Sequence, residues 1–241
     1  DVTITVFRQE TNEYVDLTVT RRSVEVPTVE YEMLEGQIGY ILITQFDLVT
    51  AQQFKEAADD LMSQGMKGLV LDLRSNPGGV LDGAVEIADY ILPDDLTEYA
   101  AGGQETMIVY TEDKNGEGEQ YRASDGHQLD IPIAILINEE SASAAEVLTG
   151  ALTDYDRAVS VGTTSYGKGI VQSLIPLGDG SAIKITMAHY YTPSGFDLHG
   201  KGITPDVEVE LDEALRTQAV VEPQEDNQVQ AAVEEVMEQM E

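Results

Sequence analysis

Apolar and polar side chains alternate along residues 2–7 and 14–20, on either side of a polar stretch at 9–13, and this period of two predicts a β-hairpin. Pro27 ends it. A two-stranded ribbon is marginal alone, so the hairpin reads as part of a larger unit. Residues 39–46 form a strand, and residues 68–74 are apolar enough for a strand buried on both faces. Between them Phe54, Ala57, Ala58, Leu61 and Met62 recur at helical spacing. Thr50 and Gln53 stand in capping-box register before that stripe, and Gly65 suits its end. Leu81, Ala84, Val85, Ala88 and Ile91 trace a second helix, stopped by Pro93.

Residues 107–110 and 120–122 flank a polar tip and predict a second hairpin. The run 131–137 is too short for a buried helix, and the period changes directly after it. Ser143, Ala144, Glu146, Val147, Leu148 and Ala151 then fall on helical spacing. Strands follow at 157–162, 168–177, 182–191 and 207–210, with Gly178 and Gly180 turning the second of these into the third. Strands that first alternate with helices and then pair directly define an α/β class with a mixed sheet.

From residue 212 the composition shifts: 214–221 is helix-compatible, 222–226 interrupts, and 227–241 is acidic. Val229, Val233, Val236 and Met240 make a narrow apolar stripe there. Such a stripe packs on the chain's own core or docks on a partner, as in a homodimer through the terminal helix. The chain as a whole carries 45 acidic against 13 basic residues, a net charge of −32. That field repels nucleic-acid phosphates and anionic membranes, so neither is an expected partner. There is no cysteine, and His127, His189 and His199 lack ligand spacing, so no metal or other cofactor is expected. No apolar run approaches the ~20 residues that span a bilayer.

Two places carry candidate chemistry. Ser143 sits at a strand-to-helix turn, where backbone N–H groups lack intrahelical partners. Ser143 with Glu146 also fits a capping box, which is the plainer reading of the same residues. Lys168, bracketed by Gly167 and Gly169, opens an apolar strand and is otherwise a solvated charge. Together they are the material of a Ser–Lys dyad. A lysine at its usual pKa of ~10.4 cannot accept a proton at neutral pH and becomes a base only where burial disfavours its charge. Lys168, Ile170 and Gln172 share one face of an extended strand, so Gln172 can bond the amine without adding charge. The N–H groups of Ala144, and of Gly78 or Gly79, are candidate oxyanion donors. The turn at 75–79 lacks the residues of a phosphate-binding loop. A Ser–His–Asp arrangement using His189 and a non-catalytic assembly role are the alternatives to the dyad.

Five blocks in order carry a resemblance: Asp72-Leu-Arg-Ser-Asn-Pro-Gly-Gly79, Ser141-Ala-Ser-Ala-Ala-Glu146, Thr164-Ser-Tyr-Gly-Lys-Gly169 with Gln172, Tyr190-Tyr-Thr-Pro-Ser-Gly195, and Gly200-Lys-Gly-Ile-Thr-Pro-Asp206. From about residue 38 to 211 the chain resembles the C-terminal processing peptidases, or tail-specific proteases. The resemblance implies Ser143 as nucleophile, Lys168 as base and Gln172 as the residue orienting the lysine. It implies a serine endopeptidase acting on protein or peptide substrates near their C-terminus, outside the cytoplasm (periplasmic, cell-envelope or secreted). It also implies a core related to the ClpP and crotonase folds, with a PDZ domain inserted before it. Residues 1–24 then read as the last hairpin of a truncated PDZ domain, 25–211 as the protease core and 212–241 as an acidic helical tail. Ala145 and His189 depart from the small-polar and basic residues expected there.

Overall fold

The computed structural model describes residues 1–22, 26–93, 107–218 and 221–240. The domain boundary expected at 24–25, residues 219–220 of the helix-compatible stretch and Glu241 lie outside them. In chain order come the hairpin β1 (Val2–Arg8) and β2 (Glu13–Val19), then β3 (Val29–Leu34), β4 (Ile38–Ile43), α1 (Thr50–Ser63), β5 (Gly68–Asp72) and α2 (Leu81–Ile91). Next are β6 (Met107–Glu112), β7 (Gln120–Arg122), β8 (Ile133–Ile137), α3 (Ala144–Asp154) and β9 (Val159–Gly162). Last are β10 (Ile170–Pro176), β11 (Ala182–Tyr191), β12 (Val207–Glu208) and α4 (Asn227–Gln239).

The central sheet runs β12–β9–β8–β5–β4–β3, parallel except where β3 pairs antiparallel with β4. Its period of two sorts side chains between two cores. Ile41, Leu69, Leu71, Ile133 and Ile135 face the layer that includes α1, α2 and α3. Ile38, Tyr40, Val70, Ala134, Leu136 and Val161 face the other side, where Val229, Ala232 and Val236 of α4 cover them. Val229, Val233 and Val236 of the terminal stripe therefore pack on the chain's own sheet, whereas Met240 is exposed. Gly68 of β5 makes the fit possible, since a Cβ there would lie 2.2 Å from Val236 Cγ1.

A second, antiparallel sheet runs β10–β11–β6–β7. Met107, Ile108 and Val109 of β6 are buried, whereas residues 172–187 of the β10–β11 hairpin are exposed. The β1–β2 hairpin is a separate two-stranded sheet, with Val2, Ile4, Leu17 and Val19 exposed on one face.

Three local expectations change. β3 is not foreseen, although Val29, Tyr31 and Met33 alternate with Glu30 and Glu32; both glutamates are exposed on this edge strand. Thr50 and Gln53 do not form the reciprocal box: Thr50 Oγ1 accepts from Asp47 N (2.8 Å) and Gln53 Oε1 accepts from Thr28 N (2.9 Å). Residues 213–217 form turns rather than a helix.

Candidate active site

The carboxyl ends of β5 and β8, neighbours in the sheet, carry two loops that are stitched together. This end of a parallel sheet is where α/β folds place ligands. Asn76 is fully buried, its Nδ2 donating to Ile43 O (2.7 Å), its Oδ1 accepting from Gly78 N (2.8 Å) and its carbonyl accepting from Ala142 N (2.9 Å). Ser141, also fully buried, donates from Oγ to Leu73 O (2.8 Å) and accepts from Asn138 N (2.9 Å). Asn138 Oδ1 accepts from Ser75 N (2.8 Å). At Gly78 (φ 87°) a Cβ would stand 2.6 Å from Ala142 O and 2.8 Å from Ser143 Cβ, so only glycine lets the loops touch.

Ser143 caps α3 with φ 57° and ψ −114°, a conformation that non-glycine residues rarely adopt. Such strain costs ~1–3 kcal/mol and persists only where its surroundings over-determine it. Here the Ala142 N bond lies on one side; on the other, Ser143 N donates to Glu146 Oε2 (2.8 Å) and Val147 N donates to Ser143 O (2.9 Å). Ala144, the first residue of the helix, has an N–H with no intrahelical acceptor. Gly78 N–H is already committed to Asn76, whereas Gly79 N–H makes no hydrogen bond among the described residues.

Glu146 is the joint of the site. Its side chain is fully buried and accepts four bonds: Ser143 N (2.8 Å) and Lys168 N (2.9 Å) on Oε2, Ser165 Oγ (2.6 Å) and Gly167 N (2.6 Å) on Oε1. One oxygen thus holds the backbones of both Ser143 and Lys168, whose nitrogens are no farther apart than those two bonds together. The capping-box spacing points to one of these four bonds; the other three come from tertiary packing. Residues 198–203 mould the lysine loop from outside. Gly200 N donates to Gly167 O (2.9 Å), Ser165 N to Ile203 O (3.0 Å) and Ile203 N to Ser165 Oγ (2.7 Å).

Lys168 lies in the loop before β10 rather than on the strand, and is half-buried. It lines an open cleft of about 530 Å³ with Ser75, Pro77, Glu140, Ala142 and Tyr166. Among the described residues its Nζ makes no ion pair or hydrogen bond, to Ser143 or to any carboxylate. Gln172 is exposed, and its Nε2 contacts Thr186 Oγ1 at 3.4 Å rather than Lys168. His189 Nδ1 stands 3.5 Å from Asp197 Oδ1 with its ring against His199, and no bond joins it to Ser143. Among the described residues, no three His, Asp or Glu side chains gather in metal-binding geometry.

Behind the Ser75 loop lies a second polar centre. Arg74 forks onto Asp72 (Nη2–Oδ2 2.6 Å) and reaches Asp226 Oδ2 and Gln228 Oε1 of the α4 entry, both at 2.8 Å. Tyr40 Oη donates to Asp72 (2.7 Å). Burial first, then Asp72, pushes the Tyr40 hydroxyl up. Burial opposes the Arg74 charge, but Asp72 and Asp226 outweigh it and hold the guanidinium above its ordinary value.

The fold and the clustered motif blocks define a peptidase of family S41: the sequence model of that family matches residues 37–209, and the chain belongs to it. More finely, it is 39% identical over 213 residues to the carboxy-terminal-processing protease of Bartonella bacilliformis, covering 87% of this chain and 47% of that protein. It is 37% identical over 223 residues to the carboxyl-terminal-processing protease of Synechocystis sp., covering 91% and 49%. The chain therefore spans about half the length of the curated relatives it matches. Among solved structures, the photosystem II D1 C-terminal processing protease superposes with a TM-score of 0.67 at 30% identity, over 83% of this chain and 53% of that one. A lipoprotein from Streptococcus agalactiae, at 20% identity and TM-score 0.65 over 89% and 71%, shares the fold.

Proposed function

We propose that this chain is the catalytic core of a serine endopeptidase that cleaves polypeptides near their C-terminus, with Ser143 as nucleophile and Lys168 as general base. The observation that carries this reading is the single Glu146 oxygen that accepts from both Ser143 N and Lys168 N. The neutral lysine amine takes the Ser143 Oγ proton as the oxygen attacks the scissile carbonyl; the amine then returns that proton to the leaving nitrogen, and water releases the acyl group by the same route. Ala144 N–H, at the positive end of α3, and Gly79 N–H are the oxyanion donors this reading favours, since Gly78 N–H is engaged elsewhere. Gln172, weakly held at Thr186, turns toward the amine when substrate fills the cleft. Unliganded sites often hold such bonds long, and they tighten on binding.

The domain reading belongs to the same proposal: residues 1–24 as the last hairpin of a PDZ domain, 25–211 as the core and 212–241 as its acidic tail. An extracytoplasmic setting is supported by the processing-protease relatives and by a chain without cysteine. No helix among the described residues is long and apolar enough to cross a membrane. The test is labelling by a fluorophosphonate, with mass spectrometry of the products from an unstructured peptide. Ser143→Ala and Lys168→Ala should each remove turnover by at least 10³-fold while the fold survives, and Lys168→Arg should fail as well because arginine does not deprotonate. Activity retained in folded Lys168→Ala, or lost only with His189, would refute the dyad.

A further inference from the structure

β10 has a partner on one side only, since it ends the sheet β10–β11–β6–β7. In an antiparallel pair, residues that exchange backbone bonds alternate with residues whose N–H and C=O point away. Tyr190 N donates to Gly169 O at one end of this pair and Leu177 N to Ser181 O at the other. The register Val171↔Ala188, Ser173↔Ile185, Ile175↔Ile183 continues that row, so the odd-numbered residues of β10 face β11. The irregularity between Val171 and Gln172 leaves this parity intact, because the extra residue, Met187, is on β11. Ile170, Gln172 and Leu174 therefore present their backbone groups to the outer side, where no strand lies among the described residues.

This free row begins two residues after Lys168, whose own N–H is fixed by Glu146. It ends at Pro176, which has no N–H to offer and closes the edge. Leu174 and Ile175 are 70% and 40% exposed beside it. Long unguarded edges are an aggregation hazard; one that is short, terminated by proline and begins two residues after a lysine that lines the cleft suits an extended peptide added as a further strand.

Resting on the peptidase reading above, we infer that the outer edge of β10 binds the substrate as an added β-strand and delivers it to Ser143. The ligand is an extended, apolar-rich segment of polypeptide. Backbone pairing supplies affinity with little regard to sequence, and Leu174 and Ile175 favour aliphatic neighbours. A net charge of −32 disfavours acidic segments. The same charge opposes the rival occupant, a second copy of this chain paired edge to edge.

The experiment uses the whole chain carrying Ser143→Ala and a fluorescent apolar peptide of about twelve residues, N-methylated at one position at a time. Binding should fall about five- to tenfold per lost hydrogen bond at every second position and stay unchanged between them. Leu174→Pro in the same background deletes one outward N–H without touching a bond to β11, and should weaken the unmodified peptide similarly with circular dichroism unaltered. Loss without alternation, insensitivity to every N-methyl group, or a self-association abolished by Leu174→Pro with peptide affinity intact would overturn the inference. Fluorophosphonate labelling of the unsubstituted chain separates the two readings. Labelled Ser143 without alternation removes the edge alone, and alternation without labelling removes the peptidase reading alone.

Discussion

Two buried carboxylate centres flank the Ser75 loop, and they solve the same problem in opposite ways. Asp72 and Asp226 meet a permanent cation, Arg74, in a cage of charge against charge. Glu146 meets no cation and is satisfied by three backbone N–H groups and a hydroxyl. One of those N–H groups belongs to Lys168, yet the amine of that residue pairs with no carboxylate among the described residues. In a chain with 45 acidic residues this separation is informative. A guanidinium serves as a strut and gains from a counter-charge. On the proposed mechanism the Lys168 amine gives up its proton, and holding that residue by its backbone suits this role, because a carboxylate at Nζ would fix it in the ammonium form.

The most damaging way to break this contrast is Glu146→Ala. It leaves four buried donors without an acceptor, each costing ~1–3 kcal/mol, so urea unfolding should show a loss of at least ~4 kcal/mol together with loss of labelling. Glu146→Gln restores one acceptor but adds donors among donors, and should recover only part. Gly78→Ala comes next: with φ 87° and contacts of 2.6–2.8 Å to Ala142 O and Ser143 Cβ, it should cost ~2–3 kcal/mol and at least tenfold in turnover. Asp226→Asn is subtler. Asparagine keeps the cap of α4, to which Asp226 Oδ1 contributes by accepting from Gln228 N (2.8 Å), but removes the charge facing Arg74. With Asp72 still in place, a loss of ~1–3 kcal/mol is expected, and Asp226→Ala should exceed it.

The smallest effect concerns pH. Burial, with Asp154 nearby, pushes the Tyr155 hydroxyl up to about 12, and that hydroxyl donates to Met107 O. A folded value above the unfolded one near 10 means that this contribution is complete below pH 10 and lost as pH rises toward 12. The unfolding free energy across that window should fall by on the order of 1–2 kcal/mol from this group. Tyr155→Phe should cost ~1 kcal/mol at neutral pH and flatten part of that slope.

Much of this arrangement is legible in the chain, for identifiable reasons. The short uninterrupted apolar run ending at Ile137 and the shift to helical spacing after Ser143 are local signals, and they locate the turn where the strained serine sits. β3 escapes even though its signal is present, since Val29, Tyr31 and Met33 alternate with Glu30 and Glu32 as an edge strand with one wet face does. The role of Glu146 is half visible: its spacing from Ser143 encodes one bond, while Ser165, Gly167 and Lys168 come from a loop about twenty residues on. Gln172 was expected beside Lys168 from strand alternation, but the strand begins only at Ile170, so the alternation does not extend back to the lysine. The stripe on α4 shows that a surface must be covered; which surface depended on a sheet face assembled from five separate strands.

That last packing has a consequence for the order in which the molecule is made. Ile38, Val70, Leu136 and Val161 belong to strands that leave the ribosome well before residues 227–239, yet those residues are their cover. Throughout synthesis of the intervening stretch, one side of the sheet stays greasy and exposed, the condition under which nascent chains aggregate or are held by chaperones. Arg74 waits likewise for Asp226, its distant partner. Sealing that side and pairing this arginine are late events in the life of each newly made chain, and both depend on the same few residues at the entry to α4.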